Sequence, residues 1–486
     1  MSRRIPVIAA ATVMALGAIT ATSAVAAPVG HAAEPKPGSA AYFARDLHNI
    51  EAAYGRGVVQ LEEPGYLPAL TRDAIELEAS QVAAQASRPT HPAVTMGAAI
   101  PEGVGNPDRD GWAGSRGVMR PISFTAYDGA LLQGTLFAPL PHARDPYTGT
   151  RLVGPYPSVV IVTGSIQAAA GVYRWLAEDL AERGYVVLTF DVQGQGESET
   201  LPHNGSLDGV PSEQQSSFDN DAENAISWML STPSQPWMGT HNPLWRSVDH
   251  RPDPRSVTPG RHIPLALIGH STGAVTASYL QGVDPRIEVG VALDKITATA
   301  SAISDDQAEL GALPGPVVPT VPTLGIQAEY GFEPQPYFLA NCSSFTPCQG
   351  SPTSAPDPNR EEATGFDSWR TKHVDSAVIV PRASTHLDFT DLPPILPSSA
   401  QGQFMASFYI QAWLAMYLKH QASGAAAMQA KTIRYLMPIA GDGRKLVTFD
   451  RDSHLSFYFC SGFAFRVPGG QMIDDGDLSH DGCASH

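Results

Sequence analysis

Gly269-His270-Ser271-Thr272-Gly273 lies between an apolar run, Pro264 to Ile268, and a helix-like run, Ala274 to Gln281. Strand, sharp turn and helix is the context that gives G-x-S-x-G a mechanical meaning. Small flanking residues permit a strained turn that lifts a serine hydroxyl off the end of a sheet. Alone, the motif is weak in a chain that has 44 glycines. It gains meaning if the chain also supplies a base, an acid to orient that base, and two N–H donors for an oxyanion.

The pattern around the motif predicts the architecture. Pro121 to Tyr127 and Leu131 to Ala138 alternate in polarity and meet at Asp128-Gly129, a hairpin signal. Ser158 to Val162 reads as a strand buried on both faces. Gly171 to Arg183 reads as an amphipathic helix closed by Gly184. Further strands are predicted at Tyr185 to Phe190, Ile287 to Leu293, Thr323 to Ala328 and Ala377 to Val380, with helices at Phe218 to Leu230 and Ala400 to Gln421. Residues 231–262, rich in Pro, Trp and Arg, read as an irregular insertion. This alternation predicts an α/β fold: a mostly parallel, doubly wound sheet with helices on both faces after an antiparallel start. Chemistry then belongs at the carboxyl ends of strands.

The main domain spans about 118–422. Residues 27–117 form an N-terminal helical or irregular extension, with helical periodicity at Ala40 to Ala53 and Thr71 to Ala86. Residues 423–486 form a small β-rich C-terminal extension, with strand-like runs at Lys445 to Phe449 and Leu455 to Phe465. Residues 1–26 read as a secretory signal peptide: Arg3 and Arg4, the apolar run Ile5 to Ile19, then Ala24-Val25-Ala26 as a small-x-small cleavage site. The expected location is therefore extracellular, and no later segment is long and apolar enough to span a bilayer.

With 486 residues and 43% hydrophobic content the chain is globular. Its net charge of −17 and lack of a basic run argue against a nucleic-acid partner. In an oxidising compartment the simplest pairing of the four cysteines is Cys342 with Cys348 and Cys460 with Cys483, one of three connectivities. No C-x-x-C pair suggests zinc, and neither a metal nor an organic cofactor is expected. Gly194-Gln195-Gly196 reads as a turn, and Asp474-Asp475-Gly476-Asp477 as a solvated tail rather than a calcium loop.

Ser271 is the candidate nucleophile. His386 follows it in chain order, in a loop just after the strand ending near Val380, and is the candidate base. His270 adjoins the nucleophile but points away from it, packing or orienting the turn. Two strand ends offer the acid: Asp294 after Val289 to Leu293, or Glu329 and Glu333 after the next strand. A carboxylate following so apolar a run needs a partner, which His386 would supply. The oxyanion donors are expected to be the N–H groups of Thr272 and of Ser165, in the loop after Val162; Gly164 would let substrate approach.

These segments resemble the α/β-hydrolases over roughly residues 118–422, and among them the plasma-type platelet-activating-factor acetylhydrolases and the related bacterial polyester and cutinase-like hydrolases. The resemblance is carried by Tyr156-Pro157-Ser158-Val159-Val160, Leu176 to Val187, Gly269 to Gly273, Val291-Ala292-Leu293-Asp294, Ala328-Glu329-Tyr330 and Ser384 to Thr390. It implies an α/β-hydrolase fold and a Ser–His–Asp ester hydrolase. The acetylhydrolase pattern places the acid at Asp294. The polyester-hydrolase pattern places it one strand later, where this chain has Gly331. Lys295 departs from the apolar or aromatic residue usual after the Asp, and the loop Ser343 to Gly365 is long. The expected function is a secreted carboxylic ester hydrolase acting on a small-molecule, lipid or polyester substrate. Alternatives are a lipase or phospholipase A2-like enzyme, a secreted peptidase on the same fold, or a non-catalytic binding module.

Overall fold

The computed structural model describes residues 35, 39–87, 105–165, 169–199, 214–252, 256, 263–294, 296–297, 313–331, 334, 365–391, 400–441 and 443–479. Strands β1 (Gly117–Thr125) and β2 (Leu131–Pro139) form an antiparallel hairpin whose register runs from Gly117 opposite Pro139 to Thr125 opposite Leu131. Its turn is closed by Gly129 N–H donating to the Ala126 carbonyl and by the Asp128 side chain accepting from Ala130 N–H. Then come β3 (Ser158–Val162), β4 (Val186–Phe190), β5 (Leu265–His270), β6 (Val289–Leu293), β7 (Thr323–Ile326) and β8 (Ser376–Ile379). The ribbon β9 (Thr432–Ile439) and β10 (Gly443–Asp450) stands apart from the main sheet, while β11 (Gly462–Arg466) and β12 (Met472–Asp475) extend it.

The strand order is β1-β2-β4-β3-β5-β6-β7-β8-β11-β12, parallel from β4 through β8 and antiparallel at both edges. This is an α/β-hydrolase fold. From β3 the chain goes to one side for β4, then crosses back to the other side for β5. The switch of direction opens a crevice beyond the carboxyl ends of β3 and β5, where ligands bind in such sheets.

Helices α1 (Ala40–Leu61), α2 (Tyr66–Ser87), α3 (Arg174–Glu182), α4 (Gln215–Met229), α5 (Thr272–Val283), α6 (Phe366–Thr371), α7 (Ala400–Tyr417) and α8 (Ala422–Met428) accompany the sheet. Strand side chains alternate between faces. Val159, Ile161 and Ile268 pack with Trp175 and Leu176 of α3 and Met405, Tyr409 and Trp413 of α7. Val160, Val162 and Leu267 pack on the other face with Phe218 and Ile226 of α4 and Leu280 of α5. Contacts divide the chain into Met1–Ala33 and Glu34–His486, and every described residue belongs to the second unit.

Three elements differ from their sequence readings. The helix expected at Gly171 to Arg183 starts as a 3-10 turn, Ala170–Tyr173, and becomes α-helical only at Arg174. The run Leu455 to Phe465 is a strand only from Gly462; its first part is irregular and buries Ser456, Tyr458 and Phe459. Asp474 lies in β12 and pairs with Arg370 at 2.8 Å. The proposed signal segment, Glu333, Cys342, Cys348 and Cys483 lie outside the described residues. Cys460 is disulfide-bonded.

Candidate active site

Ser271 sits between β5 and α5 with φ 55° and ψ −120°, a backbone conformation that a side-chain-bearing residue adopts only under constraint. The constraint comes from both sides. Ser271 N–H donates to the Leu293 carbonyl at 2.9 Å, while its own carbonyl accepts from Ala274 N–H at 2.8 Å to start α5. The two motif glycines are steric requirements. A Cβ on Gly269 would overlap the Gly273 carbonyl, and one on Gly273 would run into the carbonyls of Thr163 and Val162.

Asp294 follows β6 with φ 40° and is anchored by its N–H on the Ile326 carbonyl at 2.8 Å. Its Oδ1 accepts from Ala328 N–H at 3.0 Å. Its Oδ2 lies 2.6 Å from His386 Nδ1, a short, charge-assisted geometry with both side chains largely shielded from water. His386 begins the 3-10 turn His386–Phe389 after β8, and its N–H donates to the Gly331 carbonyl at 2.9 Å. With Nδ1 directed at Asp294, Nε2 is the nitrogen that can take up a proton.

Glu329 has other partners. It is fully buried, and its carboxylate accepts from Asn49 Nδ2, from Ala383 N–H at 2.5 Å and from Ser456 Oγ at 2.6 Å. Desolvation raises its pKa against the opposing pull of these donors and of Arg382. Of the acids suggested by sequence, Asp294 is the one bonded to His386 Nδ1, and Glu329 ties helix α1 to the turn before His386.

The loop after β3 is held by two side chains that sequence reading did not single out. Gln195 Nε2 donates to the Gly164 carbonyl at 2.5 Å, and Gln195 Oε1 accepts from Thr163 Oγ1 at 2.8 Å. Gly164 N–H donates to Tyr173 Oη at 2.8 Å. A Cβ on Gly164 would stand 3.1 Å from Ser271 Cβ and 3.2 Å from Tyr173 Oη. At those separations the neighbours would have to give way, so glycine lets this loop close on the nucleophile turn. Ser165 follows, half-buried, and Thr272 is buried at the first position of α5. Tyr173 had no usable signal, because it reads as one more apolar position of a helix. Gln195 lies in the Gly194-Gln195-Gly196 turn, where spacing says nothing of what its side chain reaches.

His270 is 2% exposed and lies between these parts. Its Nδ1 is 2.8 Å from Tyr173 Oη and its Nε2 3.0 Å from the His386 carbonyl. Among the described residues, no group of three or more His, Cys, Asp or Glu is arranged to hold a metal ion. No described helix is long and apolar enough to cross a membrane.

No family model matches the chain, and no curated protein matches it. Solved structures similar to it include a ferulic acid esterase from Streptomyces cinnamoneus, at 16% identity over 64% of this chain and 92% of that one, with a TM-score of 0.38. The α/β hydrolase GrgF from Penicillium sp. sh18 matches at 13% identity over 62% of this chain and 99% of that one, with a TM-score of 0.35. A thioesterase domain from the curacin biosynthetic pathway matches at 18% identity over 36% of this chain and 44% of that one, with a TM-score of 0.23.

Proposed function

We propose that this chain is a secreted serine hydrolase that cleaves carboxylic esters through an acyl-enzyme. The observation that carries the reading is the 2.6 Å pairing of His386 Nδ1 with Asp294, beside a serine at φ 55° in a G-x-S-x-G turn. Ser271 Oγ attacks the ester carbonyl as His386 Nε2 takes its proton. Asp294 fixes the imidazole tautomer and stabilises its positive charge. The N–H groups of Ser165 and Thr272 hold the oxyanion. The tetrahedral intermediate expels the alcohol, which takes the proton from His386. Water, deprotonated by His386, then attacks the acyl-serine, and the acid leaves as His386 returns the proton to Ser271 Oγ. The sequence after Leu293 offers no long apolar lid, since Ala298 to Pro319 is short and partly polar, which supports esters with short acyl chains or polymers as substrates. The disulfide at Cys460 supports an oxidising compartment, in keeping with the proposed export signal.

The test is labelling with a fluorophosphonate, together with turnover of p-nitrophenyl acetate. Wild type should label once, at Ser271. Ser271→Ala should lose the label and about 10⁶-fold in kcat. An unlabelled wild type, or a Ser271→Ala variant that labels and turns over normally, would end the hydrolase reading.

A further inference from the structure

His270 connects the two loops on which the proposed chemistry depends, and each hydrogen bond in the connection has a determined direction. Gly164 N–H donates to Tyr173 Oη at 2.8 Å, so the tyrosine oxygen is an acceptor there. The His386 carbonyl, 3.0 Å from His270 Nε2, can only accept, so Nε2 carries the ring proton. In the neutral ring Nδ1 is then the accepting nitrogen, and the Tyr173 proton goes to it across 2.8 Å. The run is Gly164 N–H to Tyr173 O–H to His270 Nδ1, then His270 Nε2–H to the His386 carbonyl. One end adjoins Ser165, the proposed oxyanion donor, and the other is the backbone of the proposed base. Ser271 is covalently attached between them.

The arrangement works only with a neutral His270, because a protonated ring could not accept from Tyr173. Burial, and next the neighbouring His386, hold its imidazole well below the usual histidine range. The two rings are 4.5 Å apart by centroid, so a neutral His270 also spares His386 a like charge when it takes the serine proton.

We propose that His270 is a positioning residue of the hydrolytic site, setting the oxyanion loop and the histidine loop relative to Ser271 through Tyr173. The proposal rests on the reading of Ser271 as nucleophile. It requires that loss of the connection lower kcat rather than raise KM, since a displacement of about 1 Å can cost about 10²-fold in rate.

Tyr173→Phe carries the test, because it removes one oxygen from a fully buried ring and leaves the packing in place. It deprives Gly164 N–H of its acceptor and His270 Nδ1 of its donor. His270→Gln is the companion variant, and the double variant closes the cycle. Rates on p-nitrophenyl acetate are divided by the concentration of fluorophosphonate-labelled sites, so that misfolded protein does not count. The expected result is a fall in kcat of fivefold or more for Tyr173→Phe, a smaller change in KM, and a double variant no slower than the slower single one. A fall below fivefold, a change carried mainly by KM, or losses that multiply would each overturn the positioning role. If wild type itself takes no label, the hydrolase reading has failed. If wild type labels and turns over while Tyr173→Phe matches it, only the positioning role has failed.

Discussion

The ends of β6 and β7 lie side by side, and each carries a carboxylate soon after the strand stops. Asp294, after β6, keeps part of its side chain accessible and gives one oxygen to His386 Nδ1 at 2.6 Å. Glu329, after β7, is fully buried and enclosed by donors from three distant segments: Asn49 of α1, the Ala383 backbone and Ser456. The pair teaches that a carboxylate at a strand end marks a location, and that its partners decide its role. One histidine makes Asp294 a candidate for orienting a base. Three neutral donors make Glu329 a joint. That joint reaches the base from behind, because Ala383 and Ser384 immediately precede the His386 turn and Ser384 Oγ accepts from Glu329 N–H at 3.0 Å. Arg382, in the same turn, donates from Nε to Asn49 Oδ1 at 3.1 Å and lies 3.6 Å over the Phe457 ring.

Exchanging the two acids for their amides is the strongest way to break this comparison. Asp294→Asn preserves shape and can keep an acceptor for Ala328 N–H, but it then presents an amide nitrogen to His386 Nδ1. The imidazole must give up its Nδ1 proton and take the wrong tautomer, for which a loss of about 10⁴-fold in kcat is expected. Glu329→Gln should stay within about tenfold of wild type on the same ester, since its contacts reach the reacting groups only through the backbone. If Glu329→Gln gave the 10⁴-fold loss and Asp294→Asn did not, the roles of the two strand ends would have to be reversed.

The same pair should separate in the opposite sense in stability. Ser456 Oγ accepts from Tyr458 N–H at 3.0 Å and from Phe459 N–H at 3.1 Å, so its proton goes to Glu329. A glutamine nitrogen on that side faces a donor. Flipped, it faces the donors of Asn49 and Ala383 instead. Leaving one such buried group unsatisfied costs about 1–3 kcal/mol. Urea unfolding near pH 4, where a protonated Glu329 can still accept on both oxygens, should show Glu329→Gln destabilised by that amount, and Asp294→Asn by less. Equal midpoints for Glu329→Gln and wild type would mean that the donors around Glu329 are not needed to hold the turn.

The legible parts of this molecule are those that leave a local trace. Two-residue alternation, continuous apolar runs and the G-x-S-x-G turn report what each segment does with its own neighbours. They placed the strands from Ser158 to Ile379 within a few residues and put Ser271, Asp294 and His386 at strand ends. The choice between Asp294 and Glu329 came from family resemblance, together with the argument that an acid after so apolar a run needs a partner. What was not legible is pairing across long separations. Asn49 meets Glu329 from 280 residues away, and α1, read only as a helix of an extension, buries Asp46 and Asn49 on the stripe that also holds Tyr42 and Ala53. Tyr173 was hidden for the same reason, because a buried tyrosine in a helical pattern looks like core until its hydroxyl is traced to His270. The run from Leu455 misled by composition: Phe457, Tyr458 and Phe459 pack with Tyr42 and Tyr330, with Tyr458 Oη donating to Asp46, and pairing as a strand begins only at Gly462.

The smallest expected effect concerns the pH dependence of the Glu329 joint. Burial, the largest influence, raises the folded-state pKa of Glu329 above its ordinary value of 4.5. The folded chain therefore holds a proton there at pH values where the unfolded chain has lost it. The resulting stability is fully present below the unfolded value and is lost as pH rises through the folded one. Glutamine has no proton to lose, so the stability deficit of Glu329→Gln should be largest near pH 4 and shrink as pH rises. Each unit by which burial has raised the pKa narrows the gap by about 1.4 kcal/mol. Other buried carboxylates titrate alike in both proteins and cancel in the difference. Urea midpoints for the two proteins at a series of pH values from 4 upward measure this gap directly. A deficit that grows with pH would mean that Asn49, Ala383, Ser456 and Arg382 outweigh desolvation and hold Glu329 as a buried carboxylate. In that case β6 and β7 would end in two ionised acids, distinguished only by which of them faces His386.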